Sequence, residues 1–157
     1  MRGTLFVLTV CGLTLGMVTA CEREDDQTAI LKVLDEGVAG LEERDVARAK
    51  KTLSENYKDK LGRSRQTMSQ LAFLATQRGP IAISLRDIQV VIDGDAATVT
   101  MHALALQSGA ELLEAKALKD LLPTRGRDFA LTISLAREDG GWKVTAIDGD
   151  GVSSGDL

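Results

Sequence analysis

The sequence has little of what builds cross-links, metal clusters and aromatic binding platforms. Its 157 residues include two cysteines, Cys11 and Cys21, and one histidine, His102. These counts exclude a metal site made of several histidines and a four-cysteine zinc site. Three Phe, one Trp and one Tyr are too few for an aromatic cage or a carbohydrate-stacking surface. We therefore expect neither a metal nor another cofactor.

The charges are of both signs and are interspersed along the chain. Nineteen Lys and Arg residues stand against 23 Asp and Glu residues, for a formal net charge of −4, and no long basic run occurs. This pattern argues against nucleic acid as a partner. The sequence also lacks a nucleophile elbow, a phosphate-binding glycine loop, an HExxH pair and a CxxC pair. No motif therefore indicates a particular reaction.

The N-terminal segment has the three-part architecture of a secretory signal peptide. Arg2 supplies the positive charge, residues 5–17 are largely apolar, and small residues follow as far as Ala20. The apolar stretch is short for a membrane-spanning helix, which needs about 20 residues. The first acidic residue is Glu22, and this change in composition marks the start of the mature chain. Residues 1–20 are thus predicted to be a cleaved signal peptide.

The run Val18-Thr19-Ala20-Cys21 resembles the lipobox of bacterial lipoproteins. Cleavage would make Cys21 the first residue, with lipid on its sulfur and its amine, and more than one acyl chain gives stable membrane attachment. The resemblance implies a periplasm-facing lipoprotein of the bacterial cell envelope, and Glu22 in the next position favours the outer membrane over the inner one. Two alternatives remain open. An ordinary signal peptidase would leave a soluble periplasmic protein with a free thiol, and an uncleaved segment would itself be the anchor.

Removal of residues 1–20 leaves one domain of ordinary size. The mature chain has 137 residues, enough for a hydrophobic core. Cys21 is its only cysteine, so an internal disulfide is excluded and packing must hold the domain together. Residues 21–26 are predicted to form a lipidated polar tether that reaches at most about 20 Å. Residues 27–149 are the predicted domain, and residues 150–157 are a predicted flexible tail.

Apolar residues at helical spacing predict three helices in the first half of the domain. The helices are residues 27–41, 45–53 and 64–77, and their candidate N-caps are Asp25 or Asp26, Asp45 and Ser64. Gly37 and Gly40 weaken the first helix by up to about 1 kcal/mol each. Their presence indicates close packing of this helix against another element.

The second half of the domain predicts two β-hairpins. Residues 81–92 and 96–107 flank the turn Asp93-Gly94-Asp95, and residues 129–136 and 142–146 flank the turn Asp139-Gly140-Gly141. Between the hairpins, Glu111–Leu122 has a helical composition and is bounded by Pro123 and Gly126. Helices followed by hairpins predict an α+β fold, in which an antiparallel sheet carries helices on one face.

Three stretches, together with the long first helix, carry a resemblance to a family. They are EERDVARAKKTLSENY at 42–57, DGDAATV at 93–99 and REDGGWKVTAID at 137–148. In this order they resemble the NTF2-like superfamily, which includes SnoaL-like and ketosteroid-isomerase-like proteins. The resemblance covers about residues 27–149 and implies a cone-shaped fold, with three N-terminal helices packed on a curved antiparallel sheet of two hairpins. It also implies that Trp142 packs in the core, that residues 108–126 are an insertion at the cone mouth, and that a homodimer is possible.

The resemblance implies that an active site would place polar groups among the apolar residues inside the cone. The possible pocket residues are Tyr57, His102, Trp142 and Asp148. Strand alternation puts His102 beside two threonines, on the face opposite the apolar one. Asp148 falls in register with Trp142, so it is either an inward carboxylate at the cone mouth or a solvated strand end. Tyr57 is either a pocket hydroxyl or a packed aromatic residue.

The inner face of the second hairpin is predicted to be wholly apolar. By alternation it consists of Phe129, Leu131, Ile133, Leu135, Trp142, Val144 and Ala146. This favours a non-catalytic envelope lipoprotein whose domain binds a protein partner or a small apolar molecule. The alternative is a small isomerase-like or hydratase-like enzyme, or a ligand carrier, with an open cone. An enzyme would require Tyr57, His102 and Asp148 to converge in one cavity.

Overall fold

The computed structural model describes residues 25–108 and 115–149. The helices are α1 (Asp26–Glu42), α2 (Val46–Lys51), α3 (Arg65–Gln77) and α4 (Ala115–Arg125), and the strands are β1 (Ile81–Asp93), β2 (Ala96–Gln107), β3 (Arg127–Glu138) and β4 (Gly141–Gly149). In chain order, three helices precede two strands, then α4, then two further strands. The predicted signal peptide, Cys21 with most of its tether, and the predicted tail lie outside the described residues.

The three predicted N-terminal helices are confirmed, and two of them begin at the predicted caps. The Asp45 carboxylate accepts the Arg48 N–H at 2.9 Å at the start of α2. The Ser64 hydroxyl accepts the Thr67 N–H at 3.3 Å at the start of α3. These bonds satisfy N–H groups that the first turn of a helix leaves unpaired. At α1, by contrast, Asp25 occupies the N-cap position without a side-chain hydrogen bond to the helix.

The four strands form one antiparallel sheet in the order β1-β2-β3-β4. Tight turns join β1 to β2 and β3 to β4, as the two predicted hairpins require. β2 also pairs with β3, with Val99 opposite Ile133, so the two hairpins become a single surface. The register shifts within the β1–β2 pair, between Arg86 and Gln89, and again within the β3–β4 pair. Such bulges bend the strands and increase their twist.

One face of the sheet packs against α1 and forms the main hydrophobic core. Ile30 and Leu34 lie one helical turn apart and provide the α1 side of the core. The sheet provides Ala97, Val99, Met101, Ile133, Leu135, Trp142 and Val144. Full burial of a Val, Leu, Ile or Met side chain stabilises the folded state by about 1.5–3 kcal/mol. This face is the interior of the cone that the resemblance implies.

The bulge in β4 changes which of its side chains face that core. Val144 lies opposite Leu135, and the next paired residue is Ala146, so Thr145 is the extra residue. A shift of one residue exchanges the two faces of a strand. The predicted inward position of Ala146 is therefore wrong. Ile147 packs against the core in its place.

α4 covers part of the opposite, outer face of the sheet. Its Leu118 and Leu122 side chains are buried against Ala82 of β1. The Lys119 ammonium also lies 2.9 Å from the Glu42 carboxylate at the end of α1. The described part of the predicted insertion is therefore a helix with its own small apolar cluster.

The end of α4 differs from the prediction. Pro123 is predicted to bound the helix, yet it lies inside α4, which continues to Arg125. A proline inside a helix removes one backbone hydrogen bond and crowds the carbonyl four residues earlier, at a cost of about 3 kcal/mol. The last turn still closes, because the Gly126 N–H donates to the Leu122 carbonyl at 2.9 Å. Burial of Leu122 on the sheet favours this continuation.

The segment after α2 covers the outer edge of β4. The Ser54 N–H donates to the Val144 carbonyl at 2.8 Å, and the Val144 N–H donates to the Thr52 carbonyl at 2.9 Å. Further along, the Lys58 N–H donates to the Thr145 carbonyl at 2.9 Å. These bonds occupy backbone groups that an open edge strand would offer to another chain.

Gly40 lies where α1 meets α2. A Cβ added to Gly40 would lie 2.5 Å from the Ala49 backbone N and 2.9 Å from the Ala49 Cβ, too close for either to accommodate without movement. A Cβ added to Gly37 would lie 3.6 Å from the Thr52 Oγ1, which is an ordinary contact. The predicted close approach is thus confirmed at Gly40, while Gly37 has space for a methyl group.

We expect Gly40→Ala to lower the free energy of unfolding by about 1–3 kcal/mol, because the added methyl overpacks the contact between α1 and α2. The matched control is Gly37→Ala, which should leave stability unchanged or raise it by up to about 1 kcal/mol through better helix propensity. Urea unfolding followed by circular dichroism measures both variants. Equal stability of the two variants would contradict the close approach at Gly40.

Candidate functional site

Tyr57 lies in the main core rather than in an open pocket. Its side chain packs within the apolar cluster, and the residue is only 3% exposed. The phenol oxygen accepts the Ile147 N–H at 3.2 Å, at the edge of β4. Burial, with a smaller contribution from the Asp59 carboxylate, raises the pKa of Tyr57 to about 12. Tyr57 is therefore a packed aromatic residue with a satisfied, neutral hydroxyl.

His102 lies on the outer face of the sheet, as alternation predicts. It pairs with Arg86 on β1 and with Ala130 on β3. Its Nδ1 lies 3.1 Å from the Asp128 Oδ1, and the Arg86 guanidinium contacts the other carboxylate oxygen. Burial opposes ionisation of Asp128, but hydrogen bonds from His102 and Arg86 outweigh it and hold its pKa below the usual value. The His102 side chain remains 46% exposed.

Asp148 also belongs to the outer face, because the Thr145 bulge reverses its direction relative to Trp142. It pairs with Thr132, and its side chain is 17% exposed. The Asp148 Oδ1 accepts the Lys60 N–H at 3.0 Å, so this carboxylate holds the segment after α2 against the end of β4. Of the two predicted alternatives, the structure places Asp148 at a strand end outside the core.

The possible pocket residues are therefore not brought together. Tyr57 and Trp142 lie on the core side of the sheet, and His102 and Asp148 lie on the outer side. Within residues 25–108 and 115–149, no three His, Cys, Asp or Glu side chains form a group that could hold a metal ion. Across the same ranges, no helix is long and apolar enough to cross a membrane.

Trp142 is the predicted residue that borders a cavity. Its ring is buried, and its Nε1–H donates to the Asp26 Oδ1 at 3.3 Å. The Arg137 guanidinium lies over the ring, 4.7 Å from its centre, and donates to the same Asp26 oxygen at 2.6 Å. Asp26 is thus not the cap of α1. Instead it ties the start of α1 to the β3–β4 turn.

A groove of about 620 Å³ opens beside this cluster, between α1, α2 and the β3–β4 turn. We refer to it as the α1–α2 groove. It is lined by Asp26, Ala29, Lys32, Val33, Glu36, Arg48, Lys51, Thr52, Arg137, Gly140, Gly141, Trp142 and Lys143. Its volume is within the range of about 300–1,000 Å³ that is typical of small-molecule sites.

Positive charge dominates the α1–α2 groove. Five of the lining residues are Lys or Arg, and two are carboxylates. The Arg48 guanidinium donates two parallel hydrogen bonds to the Glu36 carboxylate, at 2.7 and 3.1 Å. The hydrogen bonds from Arg48, aided by the charge of Lys32, lower the pKa of Glu36. The groove therefore combines fixed ion pairs with additional cations, and an anion is the kind of ligand it attracts.

Sequence reasoning missed this groove. The only local signal is the i,i+4 spacing of Lys32 and Glu36 on α1, which is common on solvated helices. The contact between Glu36 and Arg48 joins residues 12 positions apart, and that between Asp26 and Arg137 joins residues 111 positions apart. No periodic pattern connects positions at these separations.

Comparisons by sequence find nothing: no protein-family model matches, and a search of curated proteins gives no match. Solved structures are similar in fold. A proposed dehydratase of the NTF2-like family from Streptomyces avermitilis superposes with a TM-score of 0.63 at 16% identity, covering 82% of this chain and 98% of that one. An NTF2-like protein from Cytophaga hutchinsonii has a TM-score of 0.62 at 14% identity, with coverages of 82% and 100%. A proposed aromatic ring hydroxylase from Novosphingobium aromaticivorans has a TM-score of 0.61 at 15% identity, with coverages of 82% and 90%.

The chain has the NTF2-like α+β fold, with helices packed against a curved antiparallel sheet of four strands. The fold predicted from the sequence is thereby confirmed. At 14–16% identity, however, these structures show the fold alone. A single fold of this kind carries many unrelated functions, so function must be argued from the residues of this chain.

The pKa of Tyr57 gives a direct test of the core. Tyr57 is the only tyrosine, so tyrosinate absorbance reports on it alone. We expect a midpoint near pH 12 in the folded protein and near the ordinary value of 10.0 in denaturant. Because the folded state favours the neutral phenol, the corresponding stability is present below pH 10.0 and is lost as the pH rises toward about 12.

Tyr57→Phe is the control for this titration, since it removes the absorbance change. It should also lower the free energy of unfolding by about 0.5–1.5 kcal/mol, because the Ile147 N–H loses its acceptor. Circular dichroism at each pH verifies that the domain is still folded. A folded-state midpoint equal to that in denaturant would contradict the buried, bonded position of the phenol.

Proposed function

We propose that the protein is a lipid-anchored, non-catalytic binding domain of the bacterial cell envelope, attached to the membrane through Cys21. The lipobox-like run that ends at Cys21, directly after a signal-like segment, supports the anchor. The NTF2-like domain would bind a protein partner or a small molecule near the membrane surface. The α1–α2 groove is a cavity of suitable size for such a ligand.

The observation that carries the non-catalytic part is the separation of the polar groups. A catalytic base must lie within about 3 Å of the proton it removes, or one water molecule away. The Tyr57 hydroxyl is already bonded to the Ile147 N–H, whereas His102 and Asp148 are on the other side of the sheet. An enzymatic alternative, isomerase-like or hydratase-like, is favoured only in general terms by the enzyme names of the dehydratase and hydroxylase neighbours, and this separation argues against it.

The position of α1 relative to Cys21 supports a function close to the bilayer. Asp26 begins α1 only five residues after Cys21, so the two are at most about 18 Å apart. The antiparallel pairing of β2 with β3 puts both hairpin turns at one end of the domain, and the Asp26–Arg137 and Arg137–Asp95 ion pairs, at 2.6 and 3.3 Å, join the start of α1 to that end. An anchored domain would thus present this end, and the groove beside it, to the membrane.

Lipid attachment is tested by growing cells with an alkyne-tagged fatty acid and following the label on the protein. We expect Cys21→Ala to abolish labelling and to prevent mature lipoprotein from collecting in the membrane fraction. Cys11→Ala is the matched control, because it removes the other cysteine, and it should label like the wild type. Labelling of Cys21→Ala, or an unlabelled wild-type protein, would contradict the anchor.

The non-catalytic assignment is tested with the purified full chain in neutral detergent, offered small carbonyl and steroid-like substrates. We expect turnover no faster than in buffer, because no base and acid converge in the described core. The assignment is overturned if turnover occurs and one substitution among Tyr57→Phe, His102→Ala and Asp148→Asn abolishes it. Circular dichroism of each variant verifies its fold.

A further inference from the structure

We infer that the α1–α2 groove is a binding site for a small anionic ligand that carries a phosphate group. This inference concerns the chemistry of the groove and does not rest on the lipid anchor. The chain has a formal net charge of −4, yet in the groove Lys and Arg outnumber carboxylates by five to two. Concentration of positive charge in a concave site, against the overall sign of the molecule, draws anions to it.

Two of these cations have no carboxylate partner in the part of the chain that the structure describes. The Lys143 ammonium donates to the Lys51 carbonyl at 2.6 Å, which fixes it against the end of α2. Among the described residues, no carboxylate lies within 4.0 Å of the Lys51 or Lys143 ammonium. Each ammonium has three N–H donors, so Lys143 retains donors for a ligand beyond its bond to the carbonyl. These two lysines are the positive wall of the site.

The other wall is held in place by ion pairs. Arg48 is fixed by Glu36, and Arg137 is fixed by Asp26 and by the ring of Trp142. A carboxylate already compensates the charge of each of these guanidinium groups. They therefore fix the shape of the groove and add little to its net positive charge. Charge recognition therefore falls to the lysines.

A phosphate group matches this arrangement better than a carboxylate does. A phosphate monoester carries about −1.5 to −2 charges at neutral pH, which suits a groove that two lysines line. Lysine binds phosphate as a compact point charge. The β3–β4 turn leaves space for the ligand, since a Cβ added to Gly140 or Gly141 would meet no atom within 4 Å. Free phosphate esters and lipid headgroups share this chemistry.

Trp142 provides the measurement, because it is the only tryptophan in the sequence and it lines the groove. The full chain in neutral detergent is titrated with inorganic phosphate and with glycerol 3-phosphate while tryptophan fluorescence is recorded. Sodium chloride at equal ionic strength is titrated in parallel. We expect a saturable change with a phosphate probe that sodium chloride does not reproduce.

Variants then assign the change to the two lysines. The double variant K51Q/K143Q should weaken phosphate binding about tenfold or more, because two charge-assisted contacts are lost. K51R/K143R keeps both charges and should retain binding. The control K60Q/R78Q removes two exposed charges outside the groove and should change the affinity by less than about twofold. Circular dichroism verifies that all three variants are folded.

A further pair of titrations identifies the source of the phosphate. Micelles that contain phosphatidylglycerol are compared with micelles that contain diacylglycerol, which lacks the phosphate. A response to the soluble probes supports a free phosphate ester, and a response to phosphatidylglycerol alone supports a lipid headgroup. The inference is overturned if no phosphate probe gives a saturable change, if sodium chloride gives the same change, or if K51Q/K143Q binds like the wild type.

Discussion

The packing of α1 into the concave face of the sheet is the interaction on which the rest of the structure depends. Both cysteines, Cys11 and Cys21, precede α1 in the sequence, so no disulfide supports this packing. Ile30 and Leu34 anchor the middle of α1 in the core. Its two ends bind opposite ends of the sheet, since Asp26 bonds to Arg137 and the Glu42 carboxylate accepts the Ile83 N–H at 2.9 Å. Contacts at the middle and at both ends of α1 therefore fix the position of this helix on the sheet.

Much of this fold can be predicted from periodic patterns in the sequence. The main error of that prediction comes from a bulge that no periodic pattern marks. Helical spacing, caps such as Asp45 and Ser64, and the two glycine-containing turns locate the helices and the hairpins. Alternation correctly puts His102 outside. It fails after Val144, because the bulge at Thr145 carries neither Gly nor Pro to mark it. From that point the inward and outward sides are exchanged, and Asp148 moves outside with them.

The α1–α2 groove could not be predicted for a different physical reason. Its residues come from α1, α2 and the β3–β4 turn, and each of its charges taken singly is typical of a solvated surface. Only the packing of α1 brings Glu36 to Arg48 and Asp26 to Arg137. The pairing of these carboxylates is what leaves Lys51 and Lys143 with surplus charge. Which cations of the groove are paired with a carboxylate and which are not is therefore decided only when the chain folds.

The backbone bonds that cover β4 make the two edges of the sheet unequal. The β4 edge is bonded to the backbone of Thr52, Ser54 and Lys58. The opposite edge of the sheet is β1, which pairs with no described strand beyond β2, and its Val91 is 67% exposed. Growth of a β-fibre needs two open edges on every subunit, one to accept a strand and one to offer it. Among the described strands only the β1 edge is open to another copy, so strand pairing through that edge closes at two chains and does not extend into a fibre.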